Sequence, residues 1–211
     1  MDSRLFIACL TTSLVACDPD FGDRVFDNTD YFPLDGVVRM AEYRAAEGGM
    51  DWTLLVEMAD STVVDGVEVV TLEYNDADLG DLLWQVQWSS DSVHGVRIHG
   101  YVDVQGGEEV AFDEPVVLVE RGVQIEPVVT ETSLGTFTAS AGAYDGCGTF
   151  FVSSWESESC LVVSLSDPDD DPATHGIVTG TYRLVAGYGA AWLDLDLWDD
   201  TWWMSSFEWE D

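Results

Sequence analysis

The sequence predicts an all-β, mainly antiparallel domain with little helix, built as a barrel, half-barrel or sandwich. Three observations predict it. Short runs alternate apolar and polar residues at period 2, as half-buried strands do. Gly- and Asp-rich turn signals separate the runs at near-regular spacing. Only Val37–Glu47 and Asp76–Leu83 could hold a helical turn or two.

The first run is Val37–Ala45, closed by Glu47-Gly48-Gly49. In the second, Trp52, Leu54, Val56 and Met58 alternate with Thr53 and Glu57. Asp65-Gly66, a dipeptide suited to the left-handed conformations of a tight hairpin, leads into Val67–Tyr74. Leu82, Trp84, Val86 and Trp88 then alternate with Gln85, Gln87 and Ser89, and Val93–Tyr101 ends before Gly106-Gly107. Further strands are expected at Val128–Thr132, Cys147–Ser153, Cys160–Leu165, Thr179–Leu184, Ala191–Leu197 and Thr201–Glu208. Gly142, Asp145-Gly146 and Gly187-Tyr188-Gly189 punctuate this half. About eleven short strands with no internal repeat and no second composition regime read as one domain over residues 31–211.

The charge is extreme. Acids number 41 and bases 7, a net charge of −34, and all seven bases are Arg. The chain also carries 9 Trp, 9 Phe and 7 Tyr. Aromatics in that number exclude a disordered acidic tail. The absence of clustered bases excludes unaided nucleic-acid binding. A folded chain of this mass exposes roughly 9,000 Å², so the excess charges sit about 16 Å apart. The Debye length is about 8–10 Å in ordinary salt and about 3 Å at 1 M. Repulsion is therefore tolerable in ordinary salt and nearly abolished in brine. Two readings fit: adaptation to a salty exterior, or a solubility device on an aromatic-rich chain.

The first residues read as an address. Met1-Asp2-Ser3-Arg4 precedes a twelve-residue apolar stretch from Leu5 to Ala16. That is too short to span a bilayer as a helix, which needs about 20 residues, and has the length of a secretory signal core. It ends in Leu14-Val15-Ala16-Cys17, followed at once by Asp18-Pro19-Asp20. This resembles a bacterial lipobox. The resemblance implies removal of residues 1–16 as a lipoprotein signal peptide, with Cys17 lipidated as the mature N-terminus. Residues 17–30, acidic and aperiodic, form the expected tether.

Several phrases resemble a group of secreted lipoproteins of myxobacteria and their relatives. They are Asp30-Tyr31-Phe32-Pro33-Leu34, Val64-Asp65-Gly66-Val67-Glu68-Val69 and Gly95-Val96-Arg97-Ile98-His99-Gly100-Tyr101. Ala141-Gly142-Ala143-Tyr144-Asp145-Gly146-Cys147 and Thr181-Tyr182-Arg183-Leu184-Val185-Ala186-Gly187-Tyr188-Gly189 follow. Ala41 and Arg183 stand where the group carries aromatic residues. The resemblance implies a single, strongly curved antiparallel sheet, similar to that of periplasmic lipoprotein carriers, which bind acyl chains on the concave face. It carries no catalytic residues.

Cys147 and Cys160 are the mature thiols besides Cys17, and export places them in an oxidising compartment. A disulfide between them would close a hairpin whose turn is expected near Ser153–Ser157. The alternative is two buried free thiols. Asp167, Asp169 and Asp171 offer hard oxygen ligands at alternating positions, which suits calcium, the one cofactor suggested. Pro172 and Val178 occupy the places where an EF-hand loop needs Gly and Glu, and a solvated acidic loop is the other reading. His94 and His99, five apart on one expected strand, face opposite sides and make no local metal pair. Trp192 and Trp198 fall on one face of the final strands with Asp194 and Asp196, a combination that could line a ligand groove or stack on a sugar. Leu193, Leu195 and Leu197 line the opposite face as core.

No nucleophile, P-loop or zinc-protease pattern occurs. The sequence thus points to a non-enzymatic, lipid-anchored protein of the bacterial cell envelope, periplasmic or surface-exposed, with the outer membrane favoured over the inner. Its expected partners are the membrane, through the anchor, and an apolar or amphiphilic small molecule on a curved sheet. The alternative is an acidic structural or adhesive surface module, calcium-assisted or not.

Overall fold

The structure is a computed structural model that describes residues 39–45, 53–120, 126–145, 149–150, 155–156, 159–167, 175–185, 189–197 and 201–209. The described chain is almost entirely antiparallel strand. In its first half run β1 (Arg39–Ala45), β2 (Thr53–Val64), β3 (Val67–Asp76), β4 (Leu82–Asp91), β5 (Gly95–Asp103), β6 (Glu108–Val119) and β7 (Val128–Thr132). The second half holds β8 (Gly135–Asp145), β9 (Thr149–Phe150), β10 (Trp155–Glu156), β11 (Ser159–Ser166), β12 (Gly180–Val185), β13 (Gly189–Leu195) and β14 (Thr201–Trp209).

Twelve strands form one sheet in the order β6-β5-β4-β3-β2-β1-β14-β13-β12-β11-β8-β7, and β9 and β10 pair by themselves. β1 and β14 sit in mid-sheet and join the two halves of the chain, with Arg39 opposite Trp209. The expectation of an all-β, antiparallel fold with little helix is met, with one large curved sheet beside the small β9–β10 pair rather than a single sheet. The curvature has local causes. Register shifts interrupt the pairs β1–β14, β2–β3, β3–β4, β4–β5, β5–β6 and β12–β13, and each such bulge bends its strand and adds twist.

The curved sheet folds its inner face onto itself. Trp88 of β4 meets Tyr182 of β12 edge to face, ring centroids 6.0 Å apart, although six steps of the sheet separate the two strands. Phe112 of β6 meets Phe137 of β8 at 5.2 Å. Trp84, Trp88, Phe137, Tyr182 and Trp202 are fully buried, and they fill the interior with Leu54, Ile98, Leu118, Leu184 and Leu193. Tyr43 donates its hydroxyl to the Ala190 carbonyl at 2.5 Å, tying β1 to the start of β13.

The two outermost strands meet without a closing ladder among the described residues. Contacts between them run through side chains instead. The Val117 amide donates to Thr130 Oγ1 at 3.1 Å, and the Ser133 amide to the Asp113 carboxylate at 2.8 Å. The Ser133 amide, first among the causes, holds the Asp113 carboxyl below its usual range.

Two strands lie where the sequence signal was silent. β6 carries Glu114-Pro115, and proline lacks the N–H a ladder needs. It is accommodated because the β5–β6 register jumps there, from Gly100 opposite Ala111 to Ile98 opposite Val116. β8 turns Phe137 and Ala139 inward between Thr, Ser and Gly, too small a set to read as an apolar alternation.

Other expectations are corrected by the register. β5 begins at Gly95, not Val93, because the Asp91 carboxylate accepts the amides of Val93 and His94, both at 2.8 Å, and fixes a turn. His94 is thus off the strand, and the opposite-face argument for the two histidines does not apply. His99 occupies the β5 bulge, its Nε2 2.8 Å from Ser89 Oγ. Burial, then the nearby Arg97 charge, holds that imidazole below its ordinary pKa. Asp76–Leu83 is a turn rather than a helix, with Asp76 Oδ1 accepting from Asp78 and Leu79.

Candidate functional site

Strict antiparallel order divides the loops between two ends. The chain enters β1 at Arg39 at the same end as the β2–β3 turn, where Asp65 and Gly66 both take positive φ (52° and 86°), as such a tight hairpin requires. The opposite end gathers the β3–β4, β5–β6, β7–β8, β11–β12 and β13–β14 connections.

At that second end the segment His175–Val178 turns inward and is buried. His175 Nδ1 lies 3.0 Å from the Tyr101 hydroxyl, and the ring sits among Tyr101, Phe112 and Phe137. Burial, then the charges of Glu108 and Asp103, raises the Tyr101 phenol well above its usual pKa. It therefore stays protonated at neutral pH. The His175 carbonyl accepts from the Val178 and Thr179 amides at 2.9 and 3.0 Å, and Tyr182 donates its hydroxyl to the Val178 carbonyl. These bonds fix a plug across the base of the packed interior.

Above the plug remains a cavity of about 230 Å³, lined by Leu83, Trp84, Asp103, Gln105, Ile177 and Leu197. Its rim is held by the backbone. Val104 donates to the Leu83 carbonyl at 3.1 Å, Leu197 to the Gly176 carbonyl at 3.1 Å and Asp196 to the Thr179 carbonyl at 3.0 Å. Asp103 Oδ1 accepts the Gly106 amide at 2.8 Å and shapes the β5–β6 turn. Leu197 is not on the buried face of β13, as the alternation implied. It lies in the turn beyond the strand, 41% exposed, beside the opening. Val104 is 43% exposed in the neighbouring turn. The site can hold a small molecule with an apolar body against Leu83, Trp84, Ile177 and Leu197 and a polar group toward Asp103 or Gln105.

Of the residues singled out in the sequence, those described do not line the cavity. Trp192 is half-buried on the outer face of β13, with the Arg183 guanidinium 4.6 Å from its ring centroid. That cation covers a face of the indole on which a sugar could otherwise stack. Trp198 lies outside the described residues. Of the three calcium candidates only Asp167 is described; Asp169 and Asp171 are not. Among the described residues no group of three His, Cys, Asp or Glu side chains is placed to hold a metal ion. Cys17 and Cys147 are also outside the described residues.

Cys160 is buried on β11 and in disulfide form. It stands opposite Tyr144 of β8, so β11 pairs with a strand that ends before Cys147. The expected turn at Ser153–Ser157 is corrected too. Trp155 and Glu156 are strand, forming β10 paired with Phe150 and Thr149, and Ser153, Ser154 and Ser157 lie outside the described residues. Non-reducing peptide mapping of secreted protein is expected to recover a Cys147–Cys160 crosslink. A bridge of this span contributes about 3 kcal/mol in the loop-closure picture. Free thiols at both positions would contradict the pairing.

No protein-family model matches the chain, and no curated protein matches it. Among solved structures it is similar to a protein from Parabacteroides distasonis ATCC 8503, provisionally designated a lipoprotein. The likeness has a TM-score of 0.38 at 9% identity and covers 84% of this chain and 98% of that one. At that score the likeness does not define a shared fold.

Proposed function

We propose that the chain is a lipid-anchored protein of the bacterial cell envelope and a non-enzymatic binding module for a small apolar or amphiphilic ligand. The Leu14-Val15-Ala16-Cys17 phrase supports the anchor. One observation carries the ligand. Where the inner face of the sheet is packed by its own aromatics, a cavity of about 230 Å³ is left at the end opposite Arg39. Binding pockets for drug-sized molecules run to roughly 300–1,000 Å³. The ligand of this cavity is therefore small, and among the described residues the inner face beside it is packed by its own aromatics.

A thermal-shift screen of small amphiphiles tests this. Compounds that fit should raise the Tm of the wild type and leave Gln105→Trp unmoved. Gln105 is exposed in the β5–β6 turn, so the new indole blocks the opening without touching the core. Shifts that persist in Gln105→Trp, or none with any compound, would contradict the reading.

The packed interior also favours a second reading, an acidic contact module that works through its surface. Its charge of −34 then dominates stability. Tm should rise markedly between low salt and about 1 M NaCl as the Debye length shrinks to about 3 Å. A flat response would leave the acidic surface as a solubility device.

A further inference from the structure

Resting on the binding-module reading, we propose that the end cavity selects small organic cations: an ammonium group carried on an aromatic or aliphatic body. The lining is four apolar side chains, Leu83, Trp84, Ile177 and Leu197, with one carboxylate, Asp103, and one amide, Gln105; none is basic. Among the described residues the Gly106 amide, on Oδ1, is the hydrogen-bond partner of the Asp103 carboxylate. A carboxylate offers about four acceptor positions, so Asp103 keeps capacity for an ammonium donor.

The rest of the molecule reinforces that choice. A net charge of −34 disfavours anions, and a concave site with low-dielectric walls focuses the field. Trp84, fully buried, closes the base of the cavity. Its ring stacks on Tyr74 at 4.8 Å with an interplanar angle of 13°, so the base is fixed before any ligand arrives. The same backbone bonds that tie Val104 and Leu197 to the scaffold keep the opening formed. A preformed, charged and apolar site loses little to ordering on binding.

Three isosteric probes test it on the full-length protein at fixed ionic strength: phenethylammonium, 2-phenylethanol and phenylacetate, titrated by tryptophan fluorescence and calorimetry. The wild type should bind phenethylammonium at least about tenfold more tightly than the alcohol, and phenylacetate not measurably. Tenfold corresponds to about 1.4 kcal/mol. Asp103→Asn should bring the cation down to the affinity of the alcohol. Asn can still accept the Gly106 amide, so the turn survives. Asp113→Asn, which removes the same charge from the β6–β7 seam, should leave the preference intact.

Equal binding of cation and alcohol would overturn cation selection while the binding module stands. Loss of preference in Asp113→Asn as well would make it a property of the general field, which also overturns the site. No saturable binding of any probe would count against both.

Discussion

Gly95→Ala is expected to leave no stable folded domain, or to cost more than about 4 kcal/mol, a loss reserved for severe backbone conflict. Gly95 begins β5 with φ +81°, and a Cβ there would lie 2.0 Å from the Val119 carbonyl oxygen of β6. Backbone on both sides leaves nothing flexible to move aside. The ladder position of Val96 opposite Val119 would have to open, and with it the hold on the outermost strand β6. Gly66→Ala supplies the control. Its φ is +86°, yet nothing lies within 4 Å of the added carbon. That variant meets only the left-handed backbone penalty, about 1–2 kcal/mol. Urea midpoints of the two variants should differ widely. Equal midpoints would mean that β5 and β6 do not approach as closely as the structure has them.

The second large effect concerns the anchor. Cys17→Ser should move the protein from the membrane fraction to the soluble one almost completely. A lipidated cysteine carries several acyl chains. At about 0.8 kcal/mol per buried CH₂, two or three chains hold firmly where one does not. Among the described residues no helix is long and apolar enough to cross a membrane. Fractionation in a bacterial host reads the result. A Ser variant that still sediments with membranes, and releases only with detergent, would remove the lipid from the account.

The sequence was legible where neighbours in sequence are neighbours in space. Period-2 runs located β2, β3 and β4, and Asp65-Gly66 marked the hairpin between β2 and β3, because both signals are local. β6 was hidden by Glu114-Pro115, tolerated only through a register jump against β5 that no local pattern announces. β8 was hidden because its inward residues include small ones such as Ala139, which serve on a face crowded by Phe112 and Phe137.

The cavity was not legible at all. Its walls come from the adjoining ends of β4 and β5, the β5–β6 turn, the plug and the β13–β14 turn, and the curvature of the sheet brings Leu83 and Asp103 to Ile177 and Leu197. The one local hint was an apolar residue placed in a turn, Val104 before Gln105-Gly106-Gly107 and Leu197 after Asp196. Trp192 misled for the complementary reason. Its outward position was correctly read, but the Arg183 that covers it comes from the next strand, at the matching register.

One measurement addresses the central proposal most directly: the mass of the full-length protein extracted from host membranes, taken under denaturing and then native conditions. The account predicts a chain that begins at Cys17 and carries acyl groups when denatured. Under native conditions it predicts an added small organic cation. A chain that retains residues 1–16 without acylation, or native and denatured masses that coincide, would contradict it.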